Sequence, residues 1–151
     1  MLQSAERYAI YMPYDGDPML GRCEHIGDRE WYKLIRRAVK GTIEATYPSI
    51  EDDRLITLWM NDEARFVTPD PNLWATALNF ERYGYDMVGD GIITSATEDG
   101  RTIGLTEAEV ENVWETLRKA LPRLPMPGYG PDRIEAVITT HQDERSVELG
   151  T

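Results

Sequence analysis

Short runs of alternating apolar residues fill the first half of the chain, and a long helical stripe dominates the second. "RYAIYMP" (7–13) is rich in aromatic and β-branched residues and predicts a strand, with turn chemistry following in "YDGDP" (14–18). "MLGRCEHI" (19–26) is expected to return as a second strand. "GDREWYKLIRRAVKG" (27–41) predicts a helix with Asp28 as N-cap and Gly41 near its end. Trp31, Leu34, Ile35, Ala38 and Val39 recur at helical spacing there, which turns Arg36, Arg37 and Lys40 outward or toward the cap.

"TIEATYP" (42–48) and "RLITLWMN" (54–61) read as strands around the loop "SIEDD". In the second, Leu55, Thr57, Trp59 and Asn61 share one face and Ile56, Leu58 and Met60 the other. Apolar character on both faces predicts a central strand. "TPDPN" (68–72) is a turn or helix start, and "LWATALNFERYG" (73–84) a short helix ended by Gly84. "YDMVGDGIITSA" (85–96) and "RTIGL" (101–105) read as strands joined through "TEDG" (97–100), whose Asp-Gly pair suits a tight hairpin.

The clearest local signal is "LTEAEVENVWETLRKALP" (105–122). Thr106 and Glu109 form a capping box, and Leu105 can pack on Val110 as a hydrophobic staple. Val110, Val113, Trp114, Leu117 and Leu121 make one apolar stripe, which Pro122 closes. Beyond it, "PRLPMPGYGP" (122–131) reads as an extended linker, "DRIEAVITT" (132–140) as a last strand and "HQDERSVELGT" (141–151) as a polar tail. The expected fold is α+β: a mainly antiparallel sheet of about five to six strands packed with two main helices and a short third. Residues 1–121 form its compact domain, followed by the 122–151 extension.

Composition narrows the class without naming a function. The 151 residues fit one domain, and 41% apolar content with 12 glycines argues against general disorder. Cys23 is the sole cysteine, which excludes an internal disulfide and a four-cysteine zinc site and suits a reducing cytosol. No apolar run is long enough to cross a bilayer, and the N-terminus does not read as a signal peptide.

Net charge is −11 and unevenly spread. Residues 1–60 carry 8 basic and 10 acidic side chains, residues 61–121 carry 5 and 12, and residues 122–151 carry 3 and 5. Such a field repels nucleic acid and phospholipid and favours solubility or a basic partner. Glu107, Glu111 and Glu115 form a row along the predicted helix and, with Glu98 and Asp99 in the turn, make the candidate acidic interaction face. Glu107 and Glu109 also suit a positive helix N-terminus, so placement accounts for part of that row.

Other chemistry is sparse. Cys23 and His25, two apart, would share one side of a strand, but a metal site needs three or four ligands and a nucleophile pair needs more support. The turn carboxylates Asp15, Asp17, Asp62, Glu63, Asp86 and Asp90 are expected to be solvated, and "DGD" (15–17) is not a full calcium loop. No phosphate-binding or dinucleotide motif occurs, and no basic residue accompanies Asp90 in sequence. Arg36, Arg37 and Lys40 are too few to read as a DNA-binding surface. No cofactor, metal or catalytic residue is therefore assigned.

Taken in order, "MPYDG" (12–16), "LIRRAVKGTIEAT" (34–46), "LWMNDEA" (58–64), "PNLWATAL" (71–78), "MVGDGIITS" (87–95) and "LTEAEVE" (105–111) resemble the domain of unknown function 3846 family. "NFERYGYD" (79–86) and residues 122–151 depart from the family pattern. The resemblance implies a small accessory protein of a phage, plasmid or other mobile element in bacterial cytoplasm. It carries no activity across. The leading expectation is a non-enzymatic module that binds a host or phage protein, in a sharper form mimicking DNA with spaced carboxylates. The alternatives are an enzyme or small-ligand binder with a pocket lined by carboxylates and tryptophans, and a homo-oligomeric module.

Overall fold

A computed structural model describes residues 6–50, 53–64, 71–83, 86–124 and 131–143. The first two runs pair as expected: β1 (Tyr8–Met12) and β2 (Met19–Arg22) are antiparallel, with Ile10 opposite Leu20. The 12-residue helix α1 (Asp28–Val39) then crosses one face of the sheet, burying Trp31, Ile35 and Val39 on its inner side. Its N-cap is Gly27, not Asp28, which becomes the first helical residue; there its carboxylate suits the positive end of the helix. At the other end Lys40 takes the left-handed conformation (φ 62°) and its N–H donates to the Arg36 carbonyl. Asn61 Nδ2 donates to the carbonyls of Val39 and Lys40 and satisfies two groups the helix leaves open.

Strands β3 (Ile43–Thr46), β4 (Thr57–Asn61) and β5 (Gly91–Ala96) complete the order β2-β1-β5-β4-β3, and the two-residue β6 (Thr102–Ile103) pairs with the end of β5. Every pairing is antiparallel. β4 has the two-faced burial its sequence predicts. Leu58 and Met60 are buried in the larger core, while the partly buried Trp59 packs toward α1 and donates its indole N–H to Thr94 Oγ1 at 2.9 Å. Between β5 and β6 the Thr97–Gly100 turn closes with Gly100 N donating to Thr97 O at 2.9 Å and Gly100 at φ 92°, a conformation a side chain would resist.

The opposite face carries three helices: α2 (Leu73–Tyr83), α3 (Glu107–Ala120) and α4 (Pro131–Asp143). A single 3-10 turn, Leu121–Arg123, follows α3. α2 starts at Asn72, whose Oδ1 accepts from Ala75 N at 3.1 Å, as the Pro-Asn sequence predicts. α3 begins with the complete Thr106–Glu109 capping box, and its stripe from Val110 to Leu117 is buried. The result is an α+β sandwich: one sheet, α1 alone on one side, and α2, α3 and α4 on the other.

One element differs from its sequence expectation. The last strand, predicted over 132–140, is the helix α4. Ile134, Val137 and Ile138 recur at helical spacing and join the same core as Trp114 and Leu117. Arg118 of α3 also grips Glu135 through two hydrogen bonds, at 2.7 and 3.1 Å. β-branched residues raised the strand reading, but burying three of them on one neighbour requires the helical period. The extension is thus tied into the domain core through 131–143. The helix stop expected at Gly84, linker residues 125–130 and tail residues 144–151 lie outside the described residues.

Candidate functional site

Carboxylates gather where β5 turns into β6 and α3 begins. Contacts connect them in a chain. Asp28, at the start of α1, lies 3.8 Å from the Arg101 guanidinium, which lies 3.7 Å from Asp99. Next to Asp99, Glu98 receives two hydrogen bonds from Arg54 Nη2, at 2.9 and 3.0 Å. Asp53, beside Arg54, meets Glu109 and Asn112 of α3, with Glu107 one half-turn away. Burial first, then the facing Glu109 carboxylate, push the Asp53 carboxyl above its ordinary range. Among the described residues, six carboxylates (Asp28, Asp53, Glu98, Asp99, Glu107 and Glu109) thus share this end with Arg54 and Arg101.

The five residues of the predicted acidic face are divided between the β5–β6 turn and α3. Glu98, Asp99 and Glu107 lie at the acidic end, whereas Glu111 and Glu115 continue along α3 away from it. Glu115 is held by Arg118 at 3.1 Å. Asp99 accepts from the Thr97 hydroxyl, which draws it below the ordinary carboxylate value, and neither Glu107 nor Glu111 lacks an interaction within the chain. Much of this charge is therefore already engaged.

Cys23 and His25 separate. β2 ends at Arg22, so the two do not alternate along a strand; Cys23 is 1% exposed beneath α1, while His25 lies exposed in the following turn. Burial, followed by the Glu24 charge, pushes the Cys23 thiol up to about 12, so it stays protonated at neutral pH and is a poor nucleophile or ligand.

A cluster that sequence reasoning missed surrounds Asp90. Although Asp90 is 4% exposed, its Oδ2 lies 2.8 Å from Lys40 Nζ and its Oδ1 accepts from Tyr14 N at 2.9 Å. Tyr11 also hydrogen bonds to it, and the phenol is raised mainly by burial and then by the Asp90 charge. No local motif announces this set, because Tyr11, Lys40 and Asp90 come from β1, the end of α1 and the loop before β5. Only the left-handed Lys40, at a position that normally favours Gly, hints that its side chain is needed. Asn72 supports the same end: its Nδ2 donates to Met12 O and Gly89 O, both at 2.8 Å. These bonds commit Asp90 to tying a helix end to two loops.

Two concavities are lined by described residues. A cleft of about 360 Å³ opens between α2 and α3, with Ile50, Leu78 and Ala120 among its apolar lining and Asn112, Lys119 and Arg123 among its polar lining. A smaller groove of about 210 Å³ runs along α1 between Tyr32, Trp59 and Arg101. Among the described residues, no group of three or more His, Cys, Asp or Glu side chains is placed to hold a metal ion. No described helix is long and apolar enough to cross a membrane.

Fold and surface together define an α+β sandwich with a segregated charge pattern. A family model described as domain of unknown function (DUF3846) matches residues 17–118, more than half of the chain. The chain belongs to this family, in agreement with its ordered motifs. Searches of curated proteins and of solved structures each return no match.

Proposed function

We propose that this chain is a non-enzymatic protein-interaction module, an accessory protein of a phage or other mobile element that acts in bacterial cytoplasm by binding a host protein. The observation that carries the reading is the acidic end, where six carboxylates face two arginines. A basic surface on the partner complements it, and its field raises the encounter rate more than it raises affinity. The mobile-element setting is what the resemblance of the ordered motifs to this family implies. Because Glu111 and Glu115, which would extend the row along α3, are engaged within the chain, the proposal is recognition of protein and not mimicry of a nucleic-acid backbone.

The test is affinity capture from host lysate with the tagged chain, its Glu98→Lys/Asp99→Lys/Glu107→Lys variant and a Glu44→Lys control. A specific partner should be retained by the control and lost on reversal of the acidic end. A partner held equally by all three forms overturns this face. A second reading, binding of a small molecule, is favoured by the cleft between α2 and α3, whose volume falls at the lower end of the ligand-pocket range. A thermal-shift screen with divalent metals and nucleotides tests it; a rise of several degrees with one compound supports it and a flat screen removes those classes.

A further inference from the structure

In an acidic chain, α1 is a basic element. Together with Lys40 it carries Arg29, Lys33, Arg36, Arg37 and Lys40 against Asp28 and Glu30, a net +3, which leaves −14 on the remainder of a chain whose total is −11. Arg29, Lys33, Arg36 and Arg37 are exposed, and among the described residues none of the four makes an ion pair. The contrast is with glutamates elsewhere: Glu98, Glu115 and Glu135 all have arginine partners.

Along the flank of this helix runs the groove of about 210 Å³, walled by Tyr32 and Ile35 and floored by Trp59. Tyr32 is 55% exposed, the most exposed large hydrophobic residue among those described, and Arg36 sits over its ring at 5.5 Å from the centroid. Trp59 already satisfies its N–H on Thr94, so what it presents to the groove is apolar ring. Arg101 stands at one end, and among the described residues its guanidinium pairs through the long contacts to Asp28 and Asp99. An aromatic recess beside uncompensated cations has the form of an anchor pocket with a charged rim.

We propose that this flank of α1 binds an acidic segment of a partner protein that inserts one bulky apolar side chain between Tyr32 and Trp59. The size and charge of the surface select this occupant. From Arg29 to Arg37 the cations span about 12 Å along the helix, the reach of about four extended residues. A short peptide fits that span. An extended nucleic acid would pass beyond it onto a body that repels phosphate. The groove meets the acidic end at Asp28 and Arg101. Tyr32, Lys33 and Arg36 lie outside that end and Glu98 and Glu107 lie outside the groove, so variants at the two sets let either reading fail alone.

The experiment uses fluorescence anisotropy with a labelled Asp/Glu peptide carrying a central Trp, the same peptide with Gly at its centre, and an oligothymidylate of equal charge. Saturable binding of the Trp peptide is expected, weakened about tenfold by Lys33→Glu/Arg36→Glu and severalfold by Tyr32→Ala. The Gly peptide should bind more weakly, and Glu98→Lys/Glu107→Lys should not reduce binding. Circular dichroism checks that each exposed-site variant remains folded. No saturable binding, equal binding of the oligothymidylate, equal binding of the Gly peptide, or indifference to Lys33→Glu/Arg36→Glu each overturns the proposal.

Discussion

Asp90, 4% exposed, holds Lys40 at 2.8 Å across the end of α1, and Lys40 reaches it from a left-handed backbone at φ 62°. The pair joins α1 to the loop before β5, and Tyr14 N occupies the other carboxylate oxygen. Two effects oppose each other at Lys40: the backbone conformation costs about 1–2 kcal/mol in a residue with a Cβ, while losing the ammonium strands a buried carboxylate.

The two effects separate in a pair of variants. Lys40→Ala keeps the strain and removes the partner, so it should destabilise by roughly 1–3 kcal/mol, discounted because Lys40 itself is largely exposed. Lys40→Gly relieves the backbone and should recover about 1 kcal/mol of that loss. Urea midpoints give both numbers; equal stability of the two variants would show that the left-handed backbone carries no strain.

Asn72 joins three segments through one amide, serving α2, Met12 and Gly89. Asn72→Ala strands two buried carbonyls and removes a helix cap, at a cost of roughly 2–4 kcal/mol. Asn72→Asp should be at least as damaging, because a carboxylate would face two carbonyl oxygens. Thermal unfolding of both variants checks this order.

Asp53 predicts a pH dependence. Its folded pKa is raised above the ordinary 3.8 by burial and by Glu109. The folded chain then binds the proton more tightly than the unfolded chain. The Asp53 contribution is fully present below pH 3.8 and is lost as pH rises through the folded value. Asp53→Asn should flatten that part of the profile and gain stability at neutral pH relative to the parent. Denaturation midpoints from pH 4 to pH 7 measure the difference; parallel profiles would rule out the linkage.

Cys23 should resist alkylation. With its thiol raised to about 12 and the side chain 1% exposed, iodoacetamide reaches it mainly through unfolding. Mass spectrometry should therefore show labelling that is slow in buffer and accelerates with urea in step with unfolding. Rapid labelling of the folded chain would contradict this burial.

The sequence by itself determined the features built from neighbouring residues. Thr106 and Glu109 are three apart, so their capping box is legible from spacing alone, and the alternation of Leu58, Trp59 and Met60 shows which side chains share a face of β4. The Asp99-Gly100 turn is legible for the same reason, since its geometry depends on a few consecutive dihedrals. Tertiary structure decided the rest. Residues 132–140 have a pattern that either period can use, and only the surface offered by α3 made them a helix. Asp90 looked unaccompanied because Tyr11 and Lys40 arrive from distant segments. The acidic stretch looked like the free charged face, yet folding paired many of its carboxylates and left the cations of α1 open. Charge in a sequence can be counted, but its availability depends on which opposite charges the fold brings within reach.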